Sequence, residues 1–252
     1  MPGKQTETAV FNAADLLARR KQMGNGPDFP PPQGVVLCLQ PTLFAYGRKQ
    51  YRTQKAGGFR GEMALLKTSG GRVALMGHFG LGAPVVGTLV EELAAFGVRQ
   101  ILLIGLAGGL QPGQRMGDLV LCAQALRDEG TSHHYLPSGQ WADAHPPLLD
   151  QWQQVLTTEG DTARRGRSWT TDAPYRETWR EVIRYRNAGV LTVEMEAAAL
   201  FAVGQFVGVE TAAAFALADV IGESGWQLAG SMAAAEQGLR RLLAAAVGVL
   251  SS

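Results

Sequence analysis

The sequence predicts an α/β fold, on three observations. Short apolar and β-branched runs recur along the chain, with Ala- and Leu-rich helical runs between them. Gly-rich turns at 77–82 (GHFGLG) and 105–110 (GLAGGL) fall where such runs end. The chain has 252 residues, 46% hydrophobic and 18% charged, which is enough apolar surface for one sizeable core. Strands alternating with helices build a sheet covered by helices, and ligands then collect at the carboxyl ends of its strands.

In chain order, residues 1–34 read as an N-terminal helix and a Pro/Gly-rich connector, and residues 35–252 as a single domain. Asn12 is placed to cap a helix over 12–21, and 24–34 (GNGPDFPPPQG) is the connector. Residues 35–39 form the first clear strand, followed by a basic, polar stretch at 48–55. Residues 62–67 and 72–76 resemble a strand pair joined by Ser69, Gly70 and Gly71. The 77–84 turn leads into a helix over 85–96; such a turn admits an anion to the helix N-terminus, or is simply tight. A buried strand over 100–104 ends in the second Gly-rich turn, and 119–123 is another strand. Residues 137–147 read as loop, 148–157 and 178–185 as helices, and 232–250 as an amphipathic closing helix.

Composition also limits function. A formal net charge of +1 gives no general pull toward nucleic acid or an anionic membrane. No segment reaches the ~18 apolar residues that span a bilayer, and the N-terminal residues lack the apolar core of a signal peptide. A cytoplasmic protein is expected. Cys38 and Cys122 lie in apolar strand-like runs, which suits neither a disulfide framework nor a metal site. The most titratable cluster, 128–135 (DEGTSHHY), reads as a polar loop near a pocket mouth. Its adjacent histidines point different ways in extended chain, and no third ligand accompanies them.

The chain centres on 188–206, where a β-branched strand turns into an Ala-rich helix. At the changeover stand Glu194 and Glu196, on either side of Met195. Acids at a helix start serve as caps. On an apolar junction they also need partners, and vicinal sugar hydroxyls are one natural choice. Asp219 ends another apolar run, 210–218, either as a cap or where α/β enzymes hold catalytic groups.

The VEMEAAALFAVG stretch, the GLAGGLQPG turn with Gly117-Asp118, the GLGAP turn and Ala218-Asp219-Val220 co-occur in one chain. Together they resemble the nucleoside phosphorylase superfamily, which includes purine nucleoside phosphorylases, uridine phosphorylases and nucleosidases. The resemblance implies a three-layer α/β/α sandwich around a mixed, partly barrel-like sheet. It implies cleavage of a nucleoside N-glycosidic bond through an oxocarbenium-like sugar. Glu196 would hold the ribose hydroxyls, with Met195 on the sugar face and Glu194 assisting. Tyr175 would flank the base, and Asp219 would protonate the leaving purine. The DEGTSHHY and TTDAPYRET stretches are most similar to uridine-phosphorylase-like members, but Thr178 and Arg180, with Arg176 nearby, stand where those use Gln and Arg, so pyrimidine recognition is half supported and Asp219 makes purine the preferred base.

The departures concern phosphate. The family's Gly-Asp-Pro-x-Arg turn is Leu39-Gln40-Pro41-Thr42-Leu43 here, and Leu103, Leu106 and Ala107 occupy its other anion positions. A desolvated polyanion needs paired charge, so the usual phosphate site is expected to be altered. Gly80, Gly82, Arg60 and His78 remain as candidates for an anion or nucleophile site, with Arg52, Lys55 and the His133-His134 pair as further groups. The expectation is an enzyme of the nucleoside phosphorylase type with no cofactor and no metal, and phosphate as candidate co-substrate. Alternatives are a nucleosidase using water, although the Glu by which the family's nucleosidases orient that water near the first strand has no counterpart here, and a non-catalytic nucleoside-binding relative. The partner is a small-molecule nucleoside. The resemblance further implies a homo-oligomer, dimer to hexamer, although the family's N-terminal histidine has no counterpart before His78.

Overall fold

The computed structural model describes residues 3–222, 225–228 and 230–252. After α1 (Ala13–Gln22), the chain runs β1 (Gly34–Cys38), α2 (Pro41–Gln50), β2 (Thr53–Ala56), β3 (Glu62–Leu66), β4 (Val73–Gly77) and α3 (Ala83–Phe96). Then follow β5 (Gln100–Gly109), β6 (Leu119–Asp128), β7 (Trp141–Asp143), α4 (Pro146–Thr158), β8 (Ala163–Thr171) and α5 (Trp179–Asn187). The chain ends with β9 (Val190–Glu194), α6 (Ala197–Val207), β10 (Glu210–Gly222), β11 (Gly225–Leu228) and α7 (Ala233–Ser251).

The sheet is mixed, and part of it closes on itself. β10 pairs with β6, β6 with β8, β8 with β9, β9 with β5, and β5 again with β10, giving a five-stranded barrel. From β5 the sheet extends through β1, β4, β3 and β2. Helices α2, α4 and α7 pack together on it, and α1, α3 and α6 form a second group. β1 and β4 are buried at every position, as strands covered on both faces must be. The capping box at Asn12 and Asp15 starts α1, whose Arg20 is paired with the buried Glu92 of α3 at 2.7 Å. The N-terminal segment is thereby fastened to the rest.

Several elements differ from the expectation. Residues 41–50 form α2: Pro41 sits at its first turn, and Leu43, Phe44 and Gly47 turn inward between Arg48, Lys49 and other exposed residues. β5 continues through Gly105 to Gly109, so the second Gly-rich stretch is strand rather than turn. The 137–147 stretch contains β7 and the start of α4. β8 has no counterpart in the sequence pattern because its first half, Ala163 to Arg167, is polar and partly exposed, and only its second half is buried.

Candidate active site

A cavity of about 530 Å³ opens at the carboxyl ends of β5, β9 and β10. Leu106 to Gly108, Val193 to Met195 and Asp219 line it, and the segment from Pro174 to Val182 forms its other wall. A second cavity of about 550 Å³ lies between the N-terminal segment, α3 and the end of α6. Of its three carboxylates, Glu91 and Glu92 are engaged by Tyr135 and Arg20, and Glu7 lies exposed on the N-terminal segment. The first cavity is the one where strand ends and carboxylates converge.

The Glu194–Glu196 junction divides two tasks between its acids. Glu194 is fully buried, and its Oε2 accepts the backbone N–H groups of Glu196 and Ala197, both at 2.7 Å. Its Oε1 accepts the hydroxyls of Ser168 and Thr170, and Thr170 Oγ1 in turn accepts the Ala198 N–H. Burial raises its pKa while these four donors pull it down. Glu194 thus satisfies the first-turn donors of α6. The carboxylate of Glu196, 4% exposed, turns the other way, and its Oε1 accepts the Gly82 N–H at 2.7 Å. Gly82 precedes α3 with φ of 92°, a conformation that favours glycine. Burial first, and the Glu194 charge second, push Glu196 up to about 7.

Asp219 lies within β10 rather than after it. A bulge at Ala218 shifts the register, so that Leu217 faces Ala107 and Asp219 faces Gly108. Gly108 also pairs with Val193 of β9. A Cβ at Gly108 would lie 2.7 Å from Asp219 Oδ1 and 3.1 Å from Val193, so only glycine lets the carboxylate settle there. Burial raises the Asp219 pKa, and a hydrogen bond from the Trp226 side chain on β11 opposes that shift. A further acid, Glu177, lines the same cavity, and burial with Asp219 and Glu181 nearby pushes it up to about 7. Neither Glu177 nor Trp226 stands out in the sequence. The only local signal for Glu177 is its position two residues after Tyr175.

The remaining sequence-derived candidates fall in three groups. Met195, Tyr175 and Thr178 line the cavity. Tyr175 is 99% exposed, and Thr178 caps α5 in a capping box with Glu181. Arg180, two residues on, is exposed and outside the cavity lining. Gly80, Gly82 and His78 form the turn before α3. His78 has φ of 57° and sets its ring edge-on to Phe44 at 5.5 Å between centroids. Arg60 lies beside that turn, because Glu62 pairs with Gly77. The 128–135 cluster is elsewhere. Its Glu129 accepts the Thr131 and Ser132 N–H groups, Arg127 donates to the carbonyls of Ser132 and of Leu136 and Pro137 just after it, and His134 and Tyr135 border the second cavity.

Leu43, Leu103 and Ala107 are buried, and Leu106 and Ala107 line the cavity. Among the described residues, no three His, Cys, Asp or Glu side chains cluster as a metal site requires. Cys38 and Cys122 are buried free thiols, with burial pushing Cys38 up to about 12. No helix among the described residues is long and apolar enough to cross a membrane.

A family model described as "Phosphorylase superfamily" matches residues 39–251. Purine nucleoside phosphorylases of the DeoD type from Bacillus cereus and Bacillus thuringiensis are each 30% identical over 154 residues. The match covers 60% of this chain and 65% of each relative, just under two thirds of their length.

Proposed function

The chain belongs to the phosphorylase superfamily, and from that premise we propose that it cleaves the N-glycosidic bond of a purine nucleoside. The observation that carries this is the convergence of Glu194, Met195, Asp219 and Glu177 on one cavity at the strand ends. The Glu196 carboxylate, which is held by the Gly82 N–H beside the cavity and is not one of its lining residues, is assigned to the vicinal hydroxyls of the sugar, with Met195 against the sugar face. Tyr175 and Thr178 flank the base. Arg180, on the first turn of α5, lies beyond the base. The acids at Asp219 and Glu177 suit a purine, which leaves far more readily once protonated. The family resemblance assigns that proton to Asp219.

The nucleophile is phosphate or water, and one contact favours water. The Gly82 N–H at the start of α3, which an anion would otherwise take, is already given to Glu196. A phosphate there would stand against a carboxylate, with only His78, Arg60 and Gly80 of the candidate groups near the turn. A phosphorylase with an anion site rebuilt from those groups is the competing reading. The reaction needs no cofactor. The proposal includes a homo-oligomer, whose neighbouring copy would cover the exposed Tyr175, Trp179 and Trp226 around the cavity, and a cytoplasmic location.

The test is incubation of adenosine, inosine, guanosine, uridine and 5′-methylthioadenosine with the protein, with and without phosphate, followed by product separation. Release of free base with free ribose, independent of phosphate, is the expected result. Ribose 1-phosphate appearing only with phosphate would identify a phosphorylase. Nucleoside binding without release from any substrate would leave a binding protein and defeat the catalytic reading.

A further inference from the structure

We propose that Thr170 is a positioning residue for the sugar junction: it holds Glu194 from behind, so that Met195 and Glu196 are presented to the substrate. Ser168 and Thr192 complete the same chain of hydroxyls. The inference rests on the reading of the cavity as a nucleoside site, and adds to that site a layer of side chains that touch no substrate.

A register shift builds this layer. β8 and β9 run parallel, and Arg167 faces Val190 whereas Ser168 already faces Thr192. Leu191 is thus bulged out of the pairing, and without that bulge the later β9 side chains would change face. Gly166 makes room for it, since a Cβ there would meet Leu191 Cδ1 at 2.5 Å. The bulge sets Thr192 opposite Ser168 and Glu194 opposite Thr170, which puts three hydroxyls and one carboxylate on one face of the strand pair.

All three hydroxyls are fully buried, so each needs a partner. Thr192 Oγ1 donates to Ser168 Oγ at 3.0 Å, and Ser168 Oγ donates to Glu194 Oε1 at 3.1 Å. Thr170 donates to the same carboxylate oxygen and accepts the Ala198 N–H at 3.0 Å, which ties Glu194 to α6. The N–H groups of residues 196–198 are therefore all held by Glu194 or Thr170. Capping α6 asks only for an acceptor, and Oε2 supplies it to two of those groups. The hydroxyls on Oε1 do something further, because they stop the carboxylate from rotating. They thereby fix the backbone that carries Met195 into the cavity wall and turns Glu196 toward Gly82. Catalysis is sensitive to displacements near 1 Å, so a fixed backbone at this point matters to the rate.

Steady-state kinetics on a purine ribonucleoside and on its 2′,3′-dideoxy analogue test this. The analogue offers Glu196 no hydroxyls, and its sugar forms the oxocarbenium ion more readily, so its cleavage stays measurable. Thr170→Val keeps the side-chain shape and removes the hydroxyl. It is expected to lose about 10–100-fold in kcat/KM on the ribonucleoside and less than about threefold on the analogue. Thr170→Ser restores the hydroxyl and should recover wild-type rates on both. Thr170→Val combined with Glu196→Ala should lose no more than Glu196→Ala alone, because the two act in series. If circular dichroism shows that Thr170→Val does not fold, Ser168→Ala removes the other hydroxyl donor and should show the same preference at about tenfold. Equal losses on the two substrates, wild-type kinetics in Thr170→Val, or additive losses in the double variant would overturn the proposal and leave the nucleoside reading standing. A wild type that cleaves neither substrate, or a Glu196→Ala variant as active as wild type, would remove the sugar assignment itself and the proposal with it.

Discussion

At the scale of single residues, the buried carboxylates decide how stability follows pH. The Glu196 carboxyl is held up to about 7, against an ordinary value of 4.5. Between those values the folded chain keeps a proton that the unfolded chain releases. The unfolding free energy therefore falls as pH rises through that window, and the loss is complete above it. Glu196→Gln keeps an acceptor for the Gly82 N–H and removes the charge. Its thermal midpoint relative to wild type should rise between pH 5 and pH 8, read by circular dichroism without ligand. A gap of the same size at both pH values would mean that Glu196 carries no burial penalty in the folded protein. Glu194 contrasts with it. Four donors surround that carboxylate, which is the sense in which its motif neighbour is held rather than free.

At the scale of elements, β5, β9 and β10 make the site through one glycine and one bulge. Gly108 lies between Val193 and Asp219, and the bulge at Ala218 brings Asp219 opposite it. Gly108→Ala would drive a methyl group to within 2.7 Å of Asp219 Oδ1. The side chain can swing away, so the stability loss should stay within about 1–3 kcal/mol. The carboxylate then leaves its position, and purine-nucleoside kcat/KM should fall by at least about tenfold, since a shift near 1 Å at the chemistry costs that much or more. Unchanged kinetics together with a lowered thermal midpoint would mean that the Asp219 position does not matter to catalysis. The same elements explain which parts of the site were legible. Two acids on an apolar strand–helix junction contrast with their surroundings, and Asp219 ends an apolar run, so both can be seen in the sequence. Glu177 is one acid in a polar loop, and its nearness to Asp219 arises only when β8 and β10 both join β6. Trp226 reaches Asp219 only because β11 folds back on β10 in antiparallel register.

For the molecule as a whole, the alternation of apolar strands and helices announces an α/β fold, but barrel closure is written in pairings far apart in sequence. β5 reaches β10 across about a hundred residues, and no local pattern marks that contact. The polar half of β8 and the Pro-started α2 were illegible for the opposite reason, since packing there overrides a local signal that points elsewhere. A ligand in the cavity touches segments from Leu106 to Trp226, so it ties together strands that must separate for the chain to unfold. Binding to the folded state alone stabilises by about 2.7 kcal/mol at a ligand concentration 100 times its Kd. For a chain of this size that corresponds to a rise in thermal midpoint of roughly 5–10 °C. A purine nucleoside should give that rise in scanning calorimetry, and uridine at the same concentration a smaller one. Glu196→Ala should abolish most of it, because the sugar hydroxyls then lose their acceptor. If the nucleoside stabilised Glu196→Ala as well as wild type, the sugar would not be held at the Glu194–Glu196 junction. The ribose assignment would then have to move to another wall of the cavity.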